Sequence, residues 1–194
     1  MSDNAPGADN QQERLRSETM LEVKKIPLQI GYYLAGFADG EGSFNISFRP
    51  RSDFRQAWKI SLCFNISQKD KVILALFKQH LKCGTMRSRN DGVWYYEVNN
   101  IKAIRENVIP FFKRFGFLSA KKKRDFAKFV QVAELMAANK HLTHEGVKEI
   151  LEIRREMNDG GKRRYDDAEI LSKFQPEESS ETIRQIPDEN REMI

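Results

Sequence analysis

The sequence predicts an α+β domain with the order α-ββ-α-ββ-α, in which helices pack on one face of a curved four-stranded antiparallel sheet. Four short segments alternate apolar and polar side chains, as strands with one buried face do. An amphipathic helical stretch separates these segments into two pairs, and an apolar, glycine-containing helix precedes the first pair. The periodicity alone therefore indicates two hairpins, each preceded by a helix, with further helices after them.

The first predicted helix begins at Pro27 and runs into the stretch Tyr32–Gly42, which carries two acids and three glycines. Gly36 and Gly40 are four residues apart, so they lie on one helix face, where small residues let two helix backbones approach closely. We expect Gly40 and Gly42 to end the helix, because glycine tolerates backbone conformations that other residues avoid. Glu41 is then held at the helix end.

Two predicted strands, Ser43–Arg51 and Trp58–Asn65, form the first hairpin around a polar turn. Each strand alternates apolar and polar residues with a period of two, which gives it one apolar face for a core and one polar face. The residues of the polar faces are Asn45, Ser47, Arg49, Arg51, Lys59, Ser61 and Asn65.

A helix and a second hairpin follow. The stretch Asp70–Leu81 has a helical apolar stripe, and Gly84 lies just after it. The predicted strands Thr85–Arg89 and Val93–Val98 turn at Asn90-Asp91-Gly92, a sequence typical of tight hairpins. The polar and aromatic side chains predicted to lie on the exposed faces of this hairpin are Arg87, Arg89, Tyr95 and Glu97.

The remaining elements are helical, and the sequence places them at Ile101–Asn107, Ile109–Phe115, Lys121–Ala138 and Thr143–Asn158. We expect Pro110 to separate the first two, because the residue before a proline avoids the helical conformation. Thr143 is a candidate N-cap. The folded domain is thus predicted at residues 27–164, with a flexible arm at 1–26 and a disordered acidic tail at 165–194.

The charge of the chain is unevenly distributed. Its 194 residues carry a formal net charge of +5, and the sequence pI is about 9.2. Residues 43–128 hold 19 lysines and arginines against 6 acids, a net +13, whereas residues 165–194 hold 3 against 9, a net −6. A basic body with an acidic tail is common in nucleic-acid-binding proteins, and it favours a polyanionic partner over an ordinary solvated surface.

Composition argues against several other classes of protein. The two cysteines, Cys63 and Cys83, provide neither a disulfide framework nor the spacing of a zinc site, and they fit a reducing compartment. No apolar run approaches the roughly 20 residues of a membrane span. Because the N-terminal residues contain acids and no apolar segment, neither a secretory signal nor a transit peptide is expected.

A strong resemblance to the LAGLIDADG homing endonucleases lies in the motif Leu34-Ala35-Gly36-Phe37-Ala38-Asp39-Gly40-Glu41-Gly42. The alternative interpretation of this motif is purely structural: a buried helix rich in glycine and alanine, followed by a hairpin. The predicted order of elements agrees with the fold of that family over residues 27–130. The resemblance implies a homing-endonuclease-like fold and a site-specific double-strand DNA endonuclease of intron-homing type, which cuts across the minor groove of a long target site.

The resemblance also assigns chemistry to individual residues. The second acid of the motif, Glu41, is the metal ligand, with the Gly40 carbonyl as a candidate beside it. Mg²⁺ prefers carboxylate, carbonyl, water and phosphate oxygens, and the negative end of a helix favours a cation. The family often has aspartate here, so the ligand arm is one methylene longer in this chain. By resemblance Gln68 positions the attacking water, and Lys121, with Lys123 as the alternative, stabilises charge near the scissile phosphate.

Two further positions are interpreted in the same way. Asp39, the first acid of the motif, is expected to bond to backbone at the helix end and to be structural. The family has another basic pocket residue soon after the glutamine. Lys71 is the nearest candidate in this chain, whereas direct spacing gives Val72.

A homodimer is expected, because we find one motif in the chain and family members with one motif are homodimers. Two motif helices then pack about a two-fold axis, and each Glu41 serves one DNA strand. The residues predicted at this interface are Leu34, Ala35, Gly36, Ala38, Asp39 and Gly40.

The polar face of the sheet is the predicted surface for duplex DNA. Such a face can enter the major groove, where all four base pairs are distinguishable and arginine recognises guanine. The predicted contacts are the polar residues of both hairpins together with Lys123. The alternative is an RNA maturase or a cleavage-inactive DNA-binding protein of the same fold, so RNA is a possible partner. The expected location is the bacterial cytoplasm or the organelle that encodes the gene.

Overall fold

Four antiparallel strands form one sheet in the computed structural model of the chain, which describes residues 23–53, 57–158 and 164–174. The strands lie in the order β1-β2-β4-β3. Their bounds are β1 (Gly42–Pro50), β2 (Trp58–Gln68), β3 (Thr85–Ser88) and β4 (Trp94–Val98). The predicted four-stranded antiparallel sheet is confirmed.

The helices occur in the predicted order around these strands, except for the last, which lies in the stretch predicted to be a disordered tail. Their bounds are α1 (Leu28–Glu41), α2 (Lys71–Leu81), α3 (Ile101–Ala103), α4 (Ile109–Phe115), α5 (Ala120–Ala137), α6 (His144–Arg155) and α7 (Asp167–Leu171). Side-chain caps fix several of the starts, those of α2 and α6 among them. The Asp70 carboxylate accepts from the Val72 N–H at 2.8 Å, and the Thr143 hydroxyl oxygen accepts from the Gly146 N–H at 3.1 Å.

Phe44 of β1 lies at the centre of the contact between the sheet and the helices. Its ring centroid lies 5.1 Å from that of Phe64 on the next strand and 5.0 Å from that of Phe129 on α5. Phe112 of α4 and Phe117 after it lie at 5.6 and 5.8 Å. Aromatic pairs at these separations are favourable beyond their buried area. One strand residue therefore joins β2, α4 and α5.

The helical segment after β4 differs from the prediction at Pro110. A π-helical turn, Ile104–Val108, joins α3 to α4 in place of a break, and the Ile109 N–H donates to the Ile104 carbonyl. In a regular helix the proline ring would clash with the carbonyl of Glu106, four residues earlier. Widening the preceding turn by one residue avoids this clash, so the helix continues through the proline.

The folded part of the chain also extends past the predicted limits of residues 27 and 164. Val23 and Ile26 on one side, and Ile170 and Phe174 on the other, are buried in the core. Isolated apolar residues in a polar sequence have no periodicity, so the prediction missed them. The rest of the predicted arm and tail, residues 1–22 and 175–194, lies outside the described residues.

Candidate active site

The motif helix α1 runs directly into strand β1 without a loop. Gly42 is the first residue of β1, and a Cβ atom on it would lie 2.7 Å from the Ala38 carbonyl oxygen. A larger residue would push the strand away from the helix, so this close approach requires glycine. Glu41, the last helical residue, is exposed. Its carboxylate is therefore placed at the junction of a helix and a strand.

Asp39 joins the end of α1 to the start of α5. Its carboxylate accepts hydrogen bonds from the backbone N–H groups of Leu118 (3.0 Å) and Ser119 (2.9 Å), and from the Ser119 hydroxyl. Ser119 also caps α5. Burial would raise the pKa of Asp39, but the hydrogen bonds from Ser119 and Leu118 and the charge of Lys122 together lower it. These contacts give Asp39 a structural role.

Lys122, rather than Lys121, lies against the end of the motif. Its ammonium group donates a hydrogen bond to the Gly42 carbonyl, which follows Glu41 in the chain. Partial burial lowers the pKa of Lys122, and nearby carboxylates, that of Glu41 among them, act in the opposite direction. The two lysines favoured by the resemblance, Lys121 and Lys123, are both exposed on α5. The positive charge beside the motif therefore comes from a residue that was not predicted.

The sequence contained a signal for Lys122. Four consecutive basic residues do not show by themselves which of them faces inward. Once Ser119 is the N-cap, however, Lys122 falls on the side of α5 that carries Phe126, Phe129 and Ala133, at i+4, i+7 and i+11. A lysine on the inner side of an amphipathic helix packs its stem on the core and brings its ammonium to the edge.

Gln68 lies at the same end of the sheet as Glu41. β1 begins at Gly42, which pairs with Ile66 of β2, and β2 continues two residues further to Gln68. Side chains alternate between the two faces along β2, so Gln68 lies on the same face as the buried Ile66. The strand register therefore brings the predicted glutamine to the helix-covered side, near the end of the motif.

Lys71 and Gln68 are both neighbours of Trp94. Trp94 is the pairing partner of Gln68, and the Lys71 ammonium lies 5.6 Å from the centre of the Trp94 ring. Val72, which has the family spacing, is 61% exposed and brings no charge. These contacts favour Lys71 as the second basic residue of the site.

The oxygen atoms predicted to hold a metal ion at this site are the Glu41 carboxylate and the Gly40 carbonyl. Among the residues that the structure describes, no group of three or more His, Cys, Asp or Glu side chains could hold a metal ion. Mg²⁺ is commonly bound by one or two carboxylates together with waters and phosphate oxygens. The donor set therefore fits a site completed by a nucleic-acid phosphate and does not fit a closed protein cage.

The polar face of the sheet carries most of the predicted DNA-binding residues. Buried and partly exposed residues alternate along β1 and β2, so the polar side chains lie opposite the helices. The strand register then aligns them in rows across the sheet. The rows are Arg49 with Lys59, Ser47 with Ser61, Asn45 with Cys63, Ser43 with Asn65, Glu97 and Thr85, and Ser67 with Tyr95 and Arg87.

Two predicted arginines lie just beyond the strand ends. Arg51 follows β1, and its guanidinium binds the Asp53 carboxylate at 2.7 and 2.5 Å. Arg89 follows β3, where its backbone N–H donates to the Val93 carbonyl at 2.8 Å and extends the ladder by one pair. Both remain exposed. The cationic side chains therefore extend to the tips of the two hairpins.

Three of the six residues predicted at a dimer interface are buried inside the chain itself. Leu34, Ala35 and Ala38 are at most 2% exposed and belong to the core. The prediction is wrong for these residues, because their side chains pack against their own chain and are not available to another. The motif is apolar on both sides, so its sequence did not show which side faces the core.

The opposite side of α1 is open. Gly36 and Gly40 are exposed, and a Cβ atom built on either has no heavy atom within 4 Å. Tyr33 precedes Gly36 by one turn and is also exposed. Leu118, whose backbone binds Asp39, is 92% exposed. The carboxylate of Asp39 is engaged within its own chain, so the open face consists of the two glycines and apolar neighbours.

Comparison with known proteins places the chain in a family. The model of the LAGLIDADG endonuclease family matches residues 34–133, just over half of the chain. The chain belongs to the LAGLIDADG endonuclease family. The probable intron-encoded endonuclease 2 of Neurospora crassa is 32% identical over 132 residues, which are 66% of this chain and 29% of that protein. DNA endonuclease I-CeuI of Chlamydomonas moewusii is 27% identical over 133 residues, 66% of this chain and 61% of that protein.

Solved structures of the family have the same fold. The homing endonuclease I-TnaI has a TM-score of 0.67 and 28% identity, covering 75% of this chain and 97% of that one. The archaeal intron-encoded homing endonuclease I-Vdi141I, complexed with DNA, has a TM-score of 0.67 and 27% identity over 75% and 94%. The predicted fold is thus confirmed.

The chain spans less than a third of the length of the Neurospora relative. In the described part of the chain, no helix has the length and apolarity to cross a membrane.

Replacing Asp39 with asparagine (Asp39→Asn) should lower the free energy of unfolding, because an amide loses the charged oxygens that accept from three donors. The folded-state pKa lies below the ordinary 3.8, so the contribution is present above that pH and is lost as the pH falls through the folded pKa. Denaturant titrations from neutral to acidic pH should show a difference from wild type that shrinks in acid. Glu152→Gln, an exposed change on α6, is the control. A difference that stays constant with pH would contradict the role of the carboxylate.

Proposed function

We propose that the chain is a site-specific double-strand DNA endonuclease of the intron-homing type that depends on Mg²⁺. The position of Glu41 carries this proposal. Its exposed carboxylate is fixed at the end of α1, beside the half-buried Lys122 and at one end of a cationic sheet face. Relatives named as intron-encoded endonucleases, and a neighbour complexed with DNA, support the same activity. Binding and cutting then use adjacent parts of one molecule.

Each residue of the site has a separate task in phosphodiester hydrolysis. Glu41 and the Gly40 carbonyl would hold Mg²⁺, which would supply Lewis-acid activation when bound. Lys122 brings a fixed positive charge to the place where negative charge develops on the phosphate. Gln68, at the same end of the sheet, offers an amide that can orient a water molecule.

The polar sheet face supplies recognition in this proposal. A β-ribbon enters the major groove, where base edges carry a distinct pattern of donors and acceptors for each pair. The helices cover the other face, so the polar face is the one available to DNA. The catalytic end of the sheet adjoins this face. The phosphates within reach of the catalytic residues are therefore those next to the recognised bases.

A second copy of the chain completes the proposed enzyme. One motif supplies one Glu41 carboxylate, whereas a double-strand cut needs a ligand set on each strand. The open side of α1 at Gly36 and Gly40 leaves room for the backbone of a second α1 to approach. We therefore infer a homodimer in which each Glu41 acts on one strand.

The change Glu41→Gln should abolish cleavage and leave binding intact, because it keeps the shape of the side chain and removes the charge that holds Mg²⁺. Affinity depends mainly on phosphate and base contacts elsewhere, and the loss of two carboxylates per dimer relieves repulsion. Cleavage and gel-retardation assays on one duplex test this, with Glu149→Gln on α6 as a charge-matched control. Near wild-type cutting by the Glu41 variant would refute the assignment.

The change Lys122→Gln should lower the cleavage rate more than Lys121→Gln does. Loss of one fixed electrostatic donor costs about 10²- to 10³-fold in rate, and the Lys122 ammonium contacts the end of the motif. Both variants lose one charge, so their affinities should fall by similar amounts. Single-turnover rates at saturating enzyme separate the two effects. A larger rate loss for Lys121→Gln would restore the assignment that the family resemblance favoured.

The change Gly36→Leu should convert the dimer to a monomer that remains folded. No heavy atom lies within 4 Å of a Cβ at this position, and leucine has a higher helix propensity than glycine, so the monomer is not strained. Light scattering and thermal melting give the two measurements. Glu149→Leu adds the same side chain to α6 and should stay dimeric. A wild-type monomer that still cuts both strands would disprove the dimer.

A further inference from the structure

The second hairpin carries two arginines, and each is held by a neighbour on β4. Arg87 forms an ion pair with the Glu97 carboxylate. Arg89 lies with its guanidinium carbon 5.1 Å from the centre of the Tyr95 ring and donates a hydrogen bond to the Tyr95 hydroxyl. Both arginines remain exposed. Their guanidinium groups are therefore oriented before any ligand arrives, which lowers the entropy lost on binding.

Glu97 is an acidic residue on a face that is proposed to bind a polyanion, so its position needs a separate explanation. It is the only acid in the four strands, all of which the structure describes. Its side chain is only 22% exposed, and its strand neighbours are Asn65 and Thr85. A carboxylate on this face opposes the approach of phosphates. Its contact with Arg87 gives it a different task, which is to fix the direction of that guanidinium.

The spacing of the two arginines is set by the strand. Arg87 lies in β3, and Arg89 continues the same ladder two residues later. Two residues of a strand span about 6.6 Å. Successive nucleotides on one strand of B-DNA rise by about 3.4 Å, so this distance corresponds to about two base-pair steps. Arginine forms its commonest specific base contact with the O6 and N7 atoms of guanine.

We propose that the β3–β4 hairpin recognises two guanines that lie two base pairs apart in each half of the target. Arg87 contacts one guanine and Arg89 the other. Glu97 and Tyr95 are positioning residues that act through these arginines and do not contact bases. This inference rests on the proposed binding of duplex DNA. It adds the identity of two bases and the residues that determine them.

The experiment is a selection of bound duplexes from a randomised library, without a cleavage step, so that a failure of catalysis cannot affect it. The wild-type protein should enrich two guanines two base pairs apart in each half-site. Arg87→Lys should remove the preference at one position and Arg89→Lys at the other, each by about 5- to 150-fold, because lysine keeps the charge and loses the planar fork. Arg105→Lys, an exposed change on the helical segment after β4 and outside the sheet, is the matched control and should leave both guanines enriched.

The Glu97→Gln variant tests the positioning role. It should weaken the guanine preference at the Arg87 position and leave the Arg89 position unchanged. Its affinity for random duplex should stay equal or rise, because one negative charge per chain has left the face. In an Arg87→Lys background the same change should have no further effect on base preference, since Glu97 acts through Arg87.

Each contrary outcome has a separate meaning. The Glu97→Gln change could instead remove a preference for cytosine at a position that Arg87→Lys leaves unaltered. Glu97 would then be a base contact itself, and its positioning role would be overturned. Enriched sites without the two guanines would overturn the whole inference while leaving the proposed DNA binding intact. Failure of the wild-type protein to retain any duplex would instead overturn the proposed function.

Discussion

The bond between the end of the motif helix and the start of α5 is the constraint on which the candidate site depends. Three donors from Leu118 and Ser119 converge on the carboxylate of Asp39. Because Ser119 is also the N-cap of α5, this contact sets the phase of that helix. The phase in turn decides which basic residue faces the motif, and Lys122 is brought to the Gly42 carbonyl. A structural acid thus determines the surroundings of Glu41, the proposed metal ligand.

The two faces of the sheet follow from one alternation. Phe44 and the apolar residues of its parity bury themselves against α4 and α5, which forces the residues between them to the other side. A slip of one residue in register would expose the core and bury Arg49. The stability of the hydrophobic core therefore fixes the arrangement of the polar face, and the proposed recognition depends on the same register as folding.

The sequence predicted the elements with strong periodicity and missed features that depend on tertiary contacts. The alternation in β1 and β2 and the cap at Thr143 were recognisable because they are local. Pro110 misled the prediction, since only packing decides whether a helix breaks or widens there. The buried side of α1 was equally hidden, because Leu34 and Gly36 belong to one apolar stretch. For the candidate site, Glu41 came from the motif and Gln68 from the family resemblance beyond it, whereas Lys122 needed the phase of α5.

The direct passage from α1 into β1 has a consequence for how such a protein changes its target. Because Gly42 is the first residue of β1, no linker separates Glu41 from the strand, and we expect the acid to move with the sheet as one rigid unit. A new target sequence is then accessible only through side-chain exchanges on a fixed backbone. The end of β1 at Pro50 lies far along the strand from Glu41, so changes of chain length after it are expected not to move the acid. Descendants of this chain should therefore diverge in strand side chains and turn lengths while keeping the helix–strand junction unchanged.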